Sequence, residues 1–183
     1  MKLNVIETPL EGLLIIEPKV FEDSRGYFFE SYNKEAFREA GIKVEFVQDN
    51  QSLSQKGVLR GMHFQNPPYA QGKLVRVIKG AVQDVVVDIR SGSKTYGQYF
   101  SVELTEENKK MLWIPPGFAH GFLTLTDNTI FFYKCTNYYN KESEGAILWN
   151  DKYLDIPWKI TEGLILSEKD KNATPFKDFI TKF

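Results

Sequence analysis

The 183-residue chain carries 23 Lys and Arg against 24 Asp and Glu, and its net charge of -1 provides no long-range field for nucleic acid or an anionic membrane. Its apolar runs, such as Leu13 to Ile16, fall far short of a bilayer span, and the opening MKLNVIET lacks the basic-then-apolar pattern of a signal peptide, so a cytoplasmic protein with neither nucleic-acid nor membrane partner is expected. The single cysteine, Cys135, excludes an internal disulfide and leaves no thiol set for structural zinc.

Runs rich in Val, Ile, Phe and Tyr predict strands, in chain order, over 3–8, 12–18, 26–32, 44–50, 57–64, 73–80, 81–90, 96–104, 110–115, 120–127 and 129–139. Turn signals at Lys79-Gly80, Ser91-Gly92-Ser93, Pro115-Pro116-Gly117 and Thr126-Asp127-Asn128 keep the connections short. One internal helix is predicted from Lys34 to Ala40, with Asn33 as N-cap and Gly41 as stop, and a second short one begins at Ser167, where Ser-Glu-Lys-Asp resembles a capping box. Residues 66–71 read as a loop within the domain, and no repeat or linker divides the chain, so one domain over 1–183 is expected. The pattern predicts an all-β sandwich or barrel, which the 14 % aromatic content suits. Alternation along 129–139 turns Phe131, Tyr133 and Cys135 one way and Ile130, Phe132 and Lys134 the other, so that Tyr133 can face a cavity.

The only histidines, His63 and His120, each stand beside glycine in a predicted strand. A lone histidine is most often a hydrogen-bonded core or edge residue, but Arg60, Gln65 and Lys73 stand near His63 in sequence, and a barrel would gather Arg76, Asp84 and Asp88 as well. Asp84 interrupts an apolar strand, where a carboxylate is costly to bury unless paired. It either orients a cation in the core or closes a structural salt bridge. A metal centre is disfavoured: barrels that bind iron, manganese or zinc often use three imidazoles and a carboxylate, and the second residue of an HxH doublet is Gln65 here. No G-x-S-x-G elbow, P-loop or dinucleotide fingerprint is present, so phosphate would be held by side chains, with Arg25, Arg60 and Lys169 as candidates that could equally be surface residues.

Ordered motifs run from about residue 7 to residue 170: Asp23-x-Arg-Gly-x-Phe-x-Glu30, Gln48-Asp-Asn-x-Ser52, Val58-Leu-Arg-Gly-Met-His63-Phe-Gln65, Lys73-Leu-Val-Arg-Val, Asp84-Val-x-Val-Asp-Ile-Arg90, Pro116-Gly-Phe-Ala-His-Gly-Phe122, Tyr133-Lys-Cys-Thr, Glu144-Gly, Trp149-Asn-Asp and Leu166-Ser-Glu-Lys-Asp170. With these motifs the chain resembles the dTDP-4-dehydrorhamnose 3,5-epimerase family. The resemblance implies a cupin-type jelly roll with a few short peripheral helices, working without metal or other cofactor, as a homodimer, on a dTDP-4-keto-6-deoxyhexose in rhamnose biosynthesis.

It also implies roles. A 4-keto group acidifies the hydrogens on C3 and C5, so inversion needs a base, a donor that holds the enolate, and an acid on the opposite face. His63 matches the base, an imidazole being substantially neutral at physiological pH, and Asp170 the carboxylate that orients it. Lys73 matches the cation beside the enolate oxygen. Tyr133 matches the proton donor, with Tyr138 and Tyr139 as rivals if the strand register differs. Arg25, Glu30, Gln48, Asp49, Asn50, Arg60, His120, Glu144 and Lys169 are implied to hold the nucleotide and sugar. Strict alternation would put Arg60 and His63 on opposite faces, a conflict that a bulge at Gly61, or Arg60 reaching a dimer-related site, would resolve. Relatives that invert C3 or C5 alone share most of these motifs. A non-catalytic sugar-nucleotide binder and a metal-dependent cupin are the alternatives from other classes.

Overall fold

The computed structural model describes residues 3–183. Its strands are β1 (Asn4–Glu7), β2 (Leu14–Glu17), β3 (Phe21–Asp23), β4 (Gly26–Phe28), β5 (Gln48–Ser54), β6 (Leu59–Gln65), β7 (Lys73–Lys79), β8 (Ala81–Asp88), β9 (Tyr99–Thr105), β10 (Met111–Ile114), β11 (Phe118–Thr124), β12 (Thr129–Cys135) and β13 (Glu144–Ala146), with helices α1 (Lys34–Glu39) and α2 (Glu168–Lys171). A six-stranded sheet in the order β1-β2-β10-β7-β12-β5 packs against a five-stranded sheet in the order β13-β6-β11-β8-β9, and β3 and β4 form a separate hairpin. The fold is the all-β, cupin-type jelly roll that the sequence predicts.

Side-chain alternation builds three apolar layers from two sheets. Between the sheets lie Val75 and Val77 of β7, Val82 and Val86 of β8, Leu112 and Ile114 of β10, Phe118 and Phe122 of β11, and Phe131 of β12. The outward residues of β8 and β11, among them Val85, Val87, Ala119 and Leu123, are covered by the C-terminal segment through Leu154, Trp158 and Phe176. The outward face of β2 and β10 is covered by α1, where Phe37 meets Ile16, Met111 and Trp113. With both faces covered, β8 reads as a nearly continuous apolar run, and the polar residues within it, Gln83, Asp84 and Asp88, are buried and hydrogen-bonded.

Asn33 caps α1, its Oδ1 accepting from the amides of Glu35 and Ala36, and Gly41 (φ 89°) follows the helix in the left-handed region. Ser167 caps α2, its Oγ accepting from the Asp170 amide. Several elements differ from expectation. The strand predicted over 44–50 lies instead at Gln48–Ser54: Val44 and Phe46 pack in the α1 cluster, whereas the ladder with β12 starts at Gln48. Only Gly26–Phe28 of the run 26–32 pairs, and its partner β3 and the short β13 carried no signal of their own. The run 129–139 stops pairing at Cys135. Among the described residues no helix is long and apolar enough to cross a membrane.

Candidate active site

His63 opposes His120 across β6 and β11, yet Arg60, three residues back on β6, opposes Phe122, only two residues on along β11. The extra residue is absorbed next to Gly61, whose φ of 146° favours glycine and where a Cβ would stand 2.5 Å from Gly121 Cα. This bulge turns Arg60 and His63 to the same side, so both line a cavity of about 170 Å³ between the sheets with Asn50, Lys73, His120 and Tyr133. An adjoining lobe of about 120 Å³ shares Asn50, His63, Lys73 and Tyr133 and extends to Gln48, Tyr139 and Glu144.

Alternation explains the inward set. Phe131, Tyr133 and Cys135 of β12 face inward as predicted, with Tyr133 against the inter-sheet core, while Lys134 faces out to Asp49. Lys73 enters on β7, its ammonium 5.8 Å from the centre of the Tyr133 ring. On β5 the inward residues are Gln48, Asn50 and Ser52, a polar ladder along the cavity wall. His63 and Tyr133 therefore come from opposing sheets and meet the same space from two walls.

The His63 Nε2 lies 2.5 Å from Asp170 Oδ1, the imidazole 31 % exposed and the carboxylate 3 %. Burial pushes the Asp170 carboxyl up, but the hydrogen bond and charge of His63, the Ser167 contact and the charge of Lys169 outweigh it and hold the group below the usual carboxylate range. A carboxylate on one ring nitrogen fixes the tautomer and leaves the lone pair on the other. Deeper in the cavity, His120 Nε2 contacts both oxygens of Asp84, at 3.0 and 2.9 Å, and that carboxylate is fully buried. Burial raises the Asp84 carboxyl despite His120 and Lys73 beside it. Of the two readings the sequence left open for Asp84, the geometry shows the pairing: the buried carboxylate is bonded to the imidazole of His120. Burial also lowers the Lys73 ammonium, against the opposing pull of Cys135, Asp84 and Glu144, and raises the Tyr133 hydroxyl, which stays protonated at neutral pH.

At the mouth, Glu144 of β13 pairs with Lys169, the neighbour of Asp170 on α2, and accepts from the Tyr139 hydroxyl at 3.2 Å. Arg60 donates a 3.4 Å bond to Ser54 Oγ and forms no ion pair among the described residues, which leaves its guanidinium available at the rim. Three of the residues expected to bind substrate lie elsewhere in this chain. Arg25 sits in the β3–β4 hairpin, 87 % exposed and paired with Asp23. Glu30, just after that hairpin, is next to Asn33 at the start of α1. Asp49 is turned outward by alternation, since its neighbours Gln48 and Asn50 point in. Asp88 and Arg76 are also outside the cavity. The first is saturated by Arg90, Ser93 and Thr95 and held down at about 2, and the second stacks on Phe29 and Phe132. Ser52, Phe122 and Gln71 line the cavity and were given no site role in the sequence. Ser52 and Phe122 were findable, two residues from Asn50 and His120 on the same strand faces.

Among the described residues no group of three His, Cys, Asp or Glu converges, and the Gln65 amide is bonded to three backbone groups.

Residues 7–178 match the family described as dTDP-4-dehydrorhamnose 3,5-epimerase. The dTDP-4-dehydrorhamnose 3,5-epimerase of Shigella flexneri is 56 % identical over 96 % of this chain and 97 % of its own length. A crystal structure of the enzyme of that name from Elizabethkingia anophelis superposes with a TM-score of 0.93 at 52 % identity, over 97 % of this chain and 98 % of that one. The Legionella pneumophila dTDP-6-deoxy-D-glucose-3,5-epimerase, crystallised with dTDP-4-keto-L-rhamnose, gives 0.92 at 50 % identity over 96 % and 93 %.

Proposed function

Because this chain belongs to the dTDP-4-dehydrorhamnose 3,5-epimerase family, we propose that it inverts C3 and C5 of dTDP-4-keto-6-deoxy-D-glucose by metal-free acid–base chemistry. The observation that carries the reading is the opposition of His63, braced by Asp170, and Tyr133, protonated and on the facing sheet, across one cavity. An epimerase must take a proton from one face of a carbon and return one to the other, and groups on opposing walls are placed for that.

In this mechanism the free nitrogen of His63 removes the proton next to the carbonyl, and Asp170 stabilises the imidazolium that forms. Charge moves to the carbonyl oxygen, where the Lys73 ammonium, in a buried and weakly screened position, stabilises the enolate more than the ketone. Tyr133 then delivers a proton from the other wall. Arg60 and Lys169 are assigned to the diphosphate, with Gln48, Asn50, His120 and Glu144 holding the sugar and nucleoside. Binding of an anion would compete with the Lys169–Glu144 pair, so a change of partner at Lys169 accompanies substrate entry.

The working unit is proposed to be a homodimer of a single-domain chain, residues 1–183. The outer face of the six-stranded sheet exposes Leu53, and the hairpin exposes Phe21, Tyr27 and Phe28, apolar surface that a second copy would cover. Arg25 and Glu30, remote from the cavity of their own chain, and Asp49 are assigned to the site of the partner. Sedimentation should give twice the chain mass, and Arg25→Ala should weaken substrate binding despite its distance from His63.

The decisive experiment incubates chelator-treated protein with dTDP-4-keto-6-deoxyglucose in deuterated water and follows both carbons by NMR. Deuterium at C3 and C5, absent with His63→Ala, is the expected result. Exchange at one carbon would make the protein a mono-epimerase, and exchange at neither would leave a binding protein.

A further inference from the structure

After β12 ends at Cys135, four consecutive residues, Asn137 to Asn140, run along the cavity mouth without a strand partner, and glutamine side chains from three other segments meet their backbone. Gln65, 5 % exposed at the end of β6, donates Nε2 to the carbonyls of Tyr138 (3.1 Å) and Tyr69 (2.6 Å) and accepts from the Asn140 amide at 2.8 Å. Gln48 Oε1 accepts from the Tyr139 amide at 2.9 Å, and Gln71 Nε2 donates to the Asn137 carbonyl at 2.8 Å. All three glutamines line the lobe that contains His63, Lys73 and Tyr133.

We infer that Gln48, Gln65 and Gln71 form an amide clamp that fixes the Asn137–Asn140 segment as a wall of the cavity, and that Gln65 is its central positioning residue. Two features argue for a role beyond loop closure. The clamped segment places the Tyr139 hydroxyl on Glu144, whose other oxygen meets Lys169 beside Asp170, so the clamp is connected to the carboxylate that braces His63. The choice of amide is also chemically specific. Gln65 must donate twice and accept once at a buried site, which neither a carboxylate nor a neutral imidazole can do. A glutamate there would face two carbonyl oxygens and lose both donors.

For its kinetic consequence the inference rests on the proposed epimerisation; its structural content does not. The test uses the full chain with Gln65→Glu and Gln71→Ala, reading hydrogen exchange of the peptide spanning 136–144, KM and kcat for deuterium incorporation, and the melting temperature. In Gln65→Glu the amides of the segment should exchange at least about tenfold faster, and KM should rise about tenfold with a much smaller fall in kcat. Gln71→Ala, which removes a single bond at a half-buried position, should move the same readouts in the same direction by less, with the melting temperature held; if Gln65→Glu does not fold, this variant decides. Unchanged amide protection, or KM and kcat that simply follow lost stability, would overturn the clamp. If the unmodified protein incorporates no deuterium, the epimerase reading fails instead, and amide protection still decides the clamp.

Discussion

His63–Asp170 and His120–Asp84 are both imidazole–carboxylate pairs on one cavity, but different parts of the chain build them. The first joins β6 to a four-residue helix 107 positions later, and its imidazole is 31 % exposed; the second joins the neighbouring strands β11 and β8, and its imidazole is 7 % exposed. Their carboxylates diverge accordingly: Asp170 has its Ser167 cap contact and the charges of His63 and Lys169 and stays below the usual range, while the deeper Asp84 is raised by burial. A proton that must travel to a substrate needs the first environment, with access and a stable counter-charge. A residue that only shapes and polarises a site can occupy the second. In the proposed mechanism, similar residue pairs thus take different roles through burial rather than composition.

The largest expected effect separates the imidazoles. His63→Ala should lower deuterium incorporation by a factor of about 10³ or more, since general-base catalysis at its upper range is removed. His120→Asn should act mainly on KM, by about tenfold, as expected for loss of a single polar contact to substrate. Steady-state kinetics on both variants would break the comparison if His120→Asn proved the more damaging in kcat. Next in size is the carboxylate behind the base: Asp170→Asn keeps the shape but removes the charge that stabilises imidazolium, and kcat should fall about 10²-fold. Asp84→Asn should fall by less than tenfold, because the imidazole it holds, His120, gains no charge in the proposed proton transfer. Equal losses in the two variants would assign the imidazoles the same role.

How far these pairs were legible in the sequence depends on which physical rule fixed them. Alternation alone gave the inward direction of Tyr133, and the cap at Ser167 marked the helix that carries Asp170. Alternation failed at Arg60, where one extra residue at Gly61 reverses the phase, and the glycine was the only local sign. Apolar density misplaced β5, because Val44 and Phe46 are buried by α1 rather than by ladder pairing, while the polar Gln48–Ser54 is paired. Asp49 shows a further limit: it faces outward to Lys134, and a motif carries residues without saying which face each occupies. The contacts of Gln48, Gln65 and Gln71 to the 137–140 segment were invisible because an amide announces its partners only when the segments that hold it are brought together.

The smallest effect sharpens the comparison through its sign. A carboxyl that titrates lower in the folded than in the unfolded chain stabilises the fold above its unfolded pKa, and that contribution disappears as pH falls through the folded value. Asp170 is of this kind, so Asp170→Asn should be more destabilising at pH 6 than at pH 3. Asp84 is of the opposite kind. Its raised carboxyl adds no penalty below the unfolded pKa and a growing one as pH rises through the folded value, so Asp84→Asn should compare better with the parent at pH 7 than at pH 3. Urea midpoints of the two variants, each referred to the parent at the same pH, should therefore move in opposite directions between acid and neutral conditions. Parallel movement would mean that His120 takes a proton and holds Asp84 charged in the fold, which would make the buried pair a second proton-bearing site and remove the distinction drawn from burial.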